Sequence, residues 1–128
     1  MLFFDADLAR KLPDALALLG LPVTKHDDHF PAGTRDEVWL RAIGERGWVA
    51  VTRDQRLWRN ASAVQALVDH RVGCIILAGA GSRPRWYAVR ILARHWEKIE
   101  ELMRGEQGPF LCRLRLRQSP EFKRLAAG

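Results

Sequence analysis

Residues 36–54 read DEVWLRAIGERGWVAVTRD, and this stretch decides the architecture. The segment from Arg35 to Arg46 has the amphipathic spacing of a helix, with apolar positions from Val38 to Ile43, and Gly47 is placed to stop it. Thr34 to Glu37 has the Thr-x-x-Glu form of a capping box at its start. Trp48 to Thr52 then reads as a buried strand, with Asp54 two residues beyond its end. A helix that feeds directly into a buried strand is half of a β-α-β unit, and repetition of that unit builds a parallel sheet. In such sheets strands end and helices begin on one edge, where ligands are held. Asp36 and Asp54 both fall on that edge.

Working outward, Leu2-Phe3-Phe4 is a first strand closed by Asp5. Leu8, Leu12, Ala15, Leu16 and Leu19 recur at helical spacing behind a cap at Asp7, and Pro13 either kinks that helix or opens its second half. Gly20 ends it, and Leu21 to Thr24 offers a short second strand. The loop from Lys25 to Gly33 includes His26-Asp27-Asp28-His29, which lacks the spacing of a rigid histidine pair; a second metal site is its lesser reading, and shaping of a cleft entrance is the alternative. Towards the C-terminus, Asn60 or Ser62 starts a helix, and Gly73 to Ala78 is a glycine-bounded apolar run suited to a central strand. Ser82 is expected to cap the longest helix, with Val89, Leu92, Trp96, Ile99 and Met103 on its buried stripe. Phe110 to Leu116 alternates, with Cys112, Leu114 and Leu116 on one face and Arg113, Arg115 and Arg117 on the other. The expectation is an α/β chain of alternating strands and helices, with residues 1–128 forming a single domain and no internal repeat.

Bulk properties narrow the function. The chain has 128 residues, 48% hydrophobic content, five Trp and a formal charge of +6, the profile of a packed globule with a polyanionic partner. No apolar run reaches the length of a membrane span, and the start lacks a secretory pattern, so a cytoplasmic protein without a membrane partner is expected. Cys74 and Cys112 lie in apolar strands without metal-ligand spacing and are expected to be buried free thiols.

Asp5, Asp36 and Asp54 carry the chemistry. Each has a structural explanation taken singly: a strand end, a helix-dipole partner and a turn former. Three carboxylates on one sheet edge repel one another unless a cation sits between them, and hard divalent ions prefer such oxygen ligands. Glu37 is accounted for by the capping box and Asp7 by its own helix, so both are reserve acids. Thr52 is placed to orient Asp54 or a metal-held water. Arg53 and Arg56 flank Asp54, and Arg83 and Arg85 open a helix on the same edge, where guanidinium groups match phosphate. Trp58 and Trp86 fall near loop and helix starts, with core or rim packing as the default.

These residues carry a resemblance. Phe3-Phe4-Asp5-Ala6-Asp7-Leu8 resembles the acidic strand end that opens PIN-like nuclease domains. Asp36-Glu37-Val38-Trp39-Leu40-Arg41-Ala42 and Val49-Ala50-Val51-Thr52-Arg53-Asp54 resemble two further motifs of that superfamily, and the small VapBC-type toxins are the most similar group. The resemblance implies a three-layer α/β/α sandwich with a mostly parallel sheet, acting as a Mg2+- or Mn2+-dependent endoribonuclease. Asp5, Asp36 and Asp54 would then be catalytic metal binders, and Arg53, Arg56, Arg83 and Arg85 would contact RNA. It further implies a cognate antitoxin partner and leaves a homo-oligomer open. Many members carry a fourth acid after the next strand; Leu77 to Ser82 supplies none, so one ion is expected here.

Overall fold

The computed structural model describes residues 1–5, 11–80, 83–105 and 108–125. Strand β1 spans Leu2–Phe4, and helix α1 spans Lys11–Leu18. They are followed by β2 at Val23–Lys25, α2 at Asp36–Arg46 and β3 at Val49–Thr52. The second half runs α3 Ala61–His70, β4 Gly73–Leu77, α4 Arg85–Arg94, α5 Trp96–Arg104, β5 Phe110–Leu114 and β6 Glu121–Arg124. The sheet order is β2-β1-β3-β4-β5-β6. The first five strands run parallel, and β6 closes one edge antiparallel to β5.

Alternation along the strands sends side chains to two cores, which makes the three layers. Leu2, Phe4, Val51, Ile75, Leu77, Phe110 and Leu114 pack with Leu12 and Leu16 of α1 and with Ile91, Leu92, Ile99 and Leu102 of α4 and α5. Phe3, Ala50, Cys74, Ile76 and Leu111 face the other way, against Leu40 and Ile43 of α2 and Leu67 of α3. Phe3, Phe4, Ile75 and Ile76 are wholly buried, each contributing about 1.5–3 kcal/mol by transfer from water. This is the α/β/α sandwich that the resemblance implies, built from the alternating strands and helices. Among the described residues no helix is long and apolar enough to cross a membrane.

Local boundaries follow local chemistry. Gly47 takes φ 69°, a left-handed conformation that lets its N–H satisfy the last carbonyls of α2 before β3 begins. Asn60 caps α3 by accepting from the Ala63 N–H at 3.1 Å, as expected. The capping box at α2 does not form. Arg35 is the cap residue, Thr34 instead donates its hydroxyl to the Pro31 carbonyl at 2.6 Å, and Glu37 pairs with Arg35 at 3.0 Å.

The long C-terminal helix is two helices. His95 breaks it, buried between α4 and α5, where its Nε2–H donates to the Arg115 carbonyl at 2.6 Å. The expected caps at Asp7 and Ser82 lie outside the described residues. Strand β5 ends at Leu114, so Arg113, Arg115 and Arg117 are not presented by one strand face. Arg113 lies inside β5 and forms two hydrogen bonds to Glu121 of β6, at 3.0 and 2.7 Å. Both cysteines are buried and free, as expected.

Candidate active site

The sheet reverses its order of strand addition at β1 and β3. From β1 the chain moves outward to β2, and from β3 it moves the opposite way to β4 and β5. Loops leaving such a switch point diverge, which leaves a crevice at the carboxyl ends of the two strands. Asp5 follows β1 directly, and Asp54 lies two residues past β3. Asp36 is the first residue of α2, which packs on the same face. A cavity of about 160 Å3 is lined by Asp5, Asp36, Thr52 and Asp54, with Trp39 and Cys74 among its walls. Three acids far apart in sequence thus share one cavity.

Each is held differently. The Asp5 N–H still belongs to the sheet, donating to the Val51 carbonyl at 3.1 Å, so its carboxyl group leaves the last rung of β1. Thr52 is buried, and its Oγ1 accepts from the Asp54 N–H at 3.1 Å, which fixes the turn after β3. Asp54 accepts from the Arg56 backbone N–H at 3.0 Å and, through both carboxylate oxygens, from the Nε–H and Nη2–H of the Arg56 guanidinium at 3.0 and 3.1 Å. The Arg56 hydrogen bond outweighs partial burial and holds the Asp54 carboxyl below its ordinary range. Arg56 itself is 87% exposed, so this pair is easily exchanged for another cation or anion.

Trp39 is the residue that sequence reasoning passed over. Its indole Nε1–H donates to Asp36 Oδ1 at 3.1 Å, and its ring stacks on Phe3 at 5.5 Å. The signal was present in the spacing, since residues i and i+3 share a helix face. The Cys74 thiol sits in the cavity wall, where burial first and the Asp5 charge second push its pKa far up, so it remains neutral. The Cys112 thiol is raised to about 11, chiefly by burial.

The other expected site residues are spread out. Glu37 is exposed and outside the cavity, and Asp7 is not among the described residues. Arg53 and Arg56 flank Asp54 without lining the cavity. Arg83 and Arg85 are exposed at the start of α4, with Arg83 over the Tyr87 ring at 4.7 Å. Trp58 is half-buried, clasped by Arg113 and Lys123 at 4.2 Å each, whereas Trp86 is 71% exposed rather than packed. His26 and His29 belong to an aromatic cluster with Phe3, Phe30, Trp39 and Trp48.

The donor set of the cavity, carboxylates and a hydroxyl, suits a hard divalent ion. Among the described residues, however, no three His, Cys, Asp or Glu side chains are gathered closely enough to hold a metal. Asp36 is engaged by Trp39 and Asp54 by Arg56. The donor chemistry therefore fits an ion, and these two carboxylates would exchange present partners to take one.

No curated protein and no solved structure matches the chain. A family model described as a PIN-like domain matches residues 1–79, more than half of it. The matched span includes β1, β3 and every acid of the cavity, and on it the chain belongs to the PIN-like domain family, a fold of the nuclease type.

Proposed function

We propose that the chain is a metal-dependent endoribonuclease and the toxin of a toxin–antitoxin pair. One observation carries the activity: Asp5, Asp36 and Asp54 line a single cavity at the switch point of a parallel sheet. Asp5, Asp36 and Asp54 would hold one Mg2+ or Mn2+. When bound, the ion neutralises phosphate charge and makes water acidic enough to act as a nucleophile. Trp39 keeps the Asp36 carboxylate in one orientation, and Thr52 does the same for the backbone beneath Asp54. Arg53, Arg56, Arg83 and Arg85 bind phosphate oxygens, and Arg56 is freed for that task when a cation replaces it at Asp54. The net charge of +6 draws polyanions towards the edge.

The toxin assignment rests on the resemblance to small VapBC-type members. A second reading has an observation in its favour. Because Asp36 and Asp54 already have protein partners, the cavity is also consistent with a module that binds RNA or protein without cleaving. Incubation of RNA with the purified chain separates the two. Cleavage is expected in Mn2+ or Mg2+, none in EDTA, and none from Asp5→Asn in any of these. Cleavage that survives Asp5→Asn, or is indifferent to EDTA, would sink the metal-nuclease reading. Expression of the wild-type chain should arrest growth and Asp36→Asn should not; equal growth would leave a nuclease that is no toxin.

A further inference from the structure

The carboxyl edge of the sheet holds a second opening beside the acidic one. Its volume is about 280 Å3, and its lining includes Gln55, Gly79, Tyr87, Arg115, Arg117 and Gln118. Gly79 lies two residues past the end of β4, and Arg115 directly follows β5, so this opening sits on the same edge as the acidic cavity. Gln55 is the residue after Asp54, and consecutive Cα atoms lie about 3.8 Å apart. The linings of the two openings therefore meet where Asp54 joins Gln55.

Their chemistry is opposite. No carboxylate is among the described residues lining this opening. The Arg115 guanidinium is shared with Glu121 and with the Gln118 Oε1, which turns the Gln118 amide N–H groups free to donate elsewhere. Arg117 is exposed and forms no ion pair among the described residues. The wall is also fixed in place: the Arg115 carbonyl is held by buried His95, and the Ala78 N–H donates to the Leu114 carbonyl at 2.9 Å. A rigid opening with cations and amide donors, and with one cation uncompensated, is built for an anion.

We propose that this opening seats a phosphate of a single RNA strand whose neighbouring phosphodiester occupies the acidic cavity, an assignment that rests on the nuclease reading above. The adjacency selects the ligand. An acidic peptide continuing from Arg117 past Gln55 would drive its carboxylates against Asp54 and Asp5. A polynucleotide crosses the same boundary with a phosphate that a divalent ion neutralises. Trp86 of α4, the residue before the lining Tyr87, is 71% exposed, an aromatic face on which an unpaired base can stack.

The test is binding without cleavage. The Asp5→Asn chain in Mg2+, which is expected not to cleave, is titrated with a short fluorescein-labelled single-stranded RNA, by anisotropy, across a salt series, and Arg117 is changed in that background. Arg117→Ala is expected to weaken binding roughly tenfold, the loss of one charge-assisted contact, and to lower the salt slope by about 0.7. Arg117→Lys should restore the slope, because it restores the released counterion. An unchanged slope in Arg117→Ala overturns the proposal. So does an Arg117-dependent affinity for a Glu-rich peptide with none for RNA, which would make the opening an acidic-protein site. Arg117-dependent RNA binding, with a wild-type chain that never cleaves in Mn2+, keeps the pocket and removes the nuclease. Cleavage by the wild-type chain, with an RNA affinity that ignores Arg117, does the reverse.

Discussion

Asp36 and Glu37 are neighbours at the start of one helix, and only one of them faces the cavity. Glu37 spends its charge on Arg35, and with side chains 71% and 79% exposed that pair contributes about 0–1 kcal/mol. Asp36 lines the cavity and accepts the Trp39 indole N–H. Asp36→Asn should therefore abolish most RNA cleavage, whereas Glu37→Gln should leave both cleavage and melting temperature nearly unchanged. Trp39→Phe refines the argument, because it keeps the ring on Phe3 and removes only the hydrogen bond. A kcat loss of roughly fivefold is expected, the worth of about 1 kcal/mol of orientation, with KM little altered. If Glu37→Gln were the inactive variant, the register of this motif would be wrong by one residue. If Trp39→Phe were fully active, the indole would be packing alone. The sequence separated these two acids through a capping box that does not form; the structure separates them by position, with Asp36 lining the cavity and Glu37 outside it. Thr34 turns back to Pro31 because the preceding loop leaves that carbonyl within reach, and no sequence pattern states where a loop will bend.

At the scale of elements, α2 reaches its place over the cavity by lying directly on the end of α3. A Cβ built at Gly44 would stand 2.1 Å from the His70 carbonyl oxygen, a backbone atom that cannot rotate away. Gly44→Ala sets two effects against each other. Alanine favours the helix by about 1 kcal/mol, and overpacking against a fixed neighbour costs about 1–3 kcal/mol. The obstruction is backbone, so the loss prevails: the melting temperature should fall by roughly 3–8 °C, measured by circular dichroism. An unchanged or higher value would mean that the two helices slide apart freely.

The same packing explains which elements were legible. Strands buried on both faces announce themselves as unbroken apolar runs, as at Leu2–Phe4, Val49–Thr52 and Gly73–Leu77. Strand β6 has no such run, because an edge strand carries charges on the sides that meet water, and Glu121-Phe122-Lys123-Arg124 reads as a polar tail. The break at His95 was also hidden. The apolar stripe of the preceding helix continues in phase through Trp96 and Ile99, and only the distant Arg115 carbonyl draws the histidine inward. The acidic site was readable in its members, since strand ends and helix starts of a parallel sheet share an edge. The hydrogen bonds from Trp39 and Arg56 were legible only as proximity in sequence, because rotamers that spacing leaves open decide which side chains meet.

For the whole molecule, the formal +6 is not spread evenly, and the C-terminal edge of the sheet depends on one acid to hold it. Glu121 of β6 receives Arg113 at 3.0 and 2.7 Å and also contacts Arg115, while Arg113 and Lys123 clasp Trp58 from β5 and β6. Removing the Glu121 charge would leave these cations facing one another. The Arg113 hydrogen bond, against a smaller opposing desolvation, lowers the Glu121 pKa from its ordinary 4.5, and the charges of Arg113 and Arg115 lower it further. A carboxyl group whose folded pKa is depressed stabilises the fold fully above its unfolded value, and that contribution is lost as pH falls through the folded value. Glu121→Gln should therefore melt below the wild type at pH 7, by an amount kept small by the group's exposure. The gap should hold down to about pH 4.5 and close progressively as the solution becomes more acidic, because the wild-type side chain then becomes neutral too. Thermal melts of both chains across that range decide the matter. A gap that persists unchanged into strong acid would show that Glu121 ties β6 to β5 by shape and hydrogen bonding, with its charge contributing nothing.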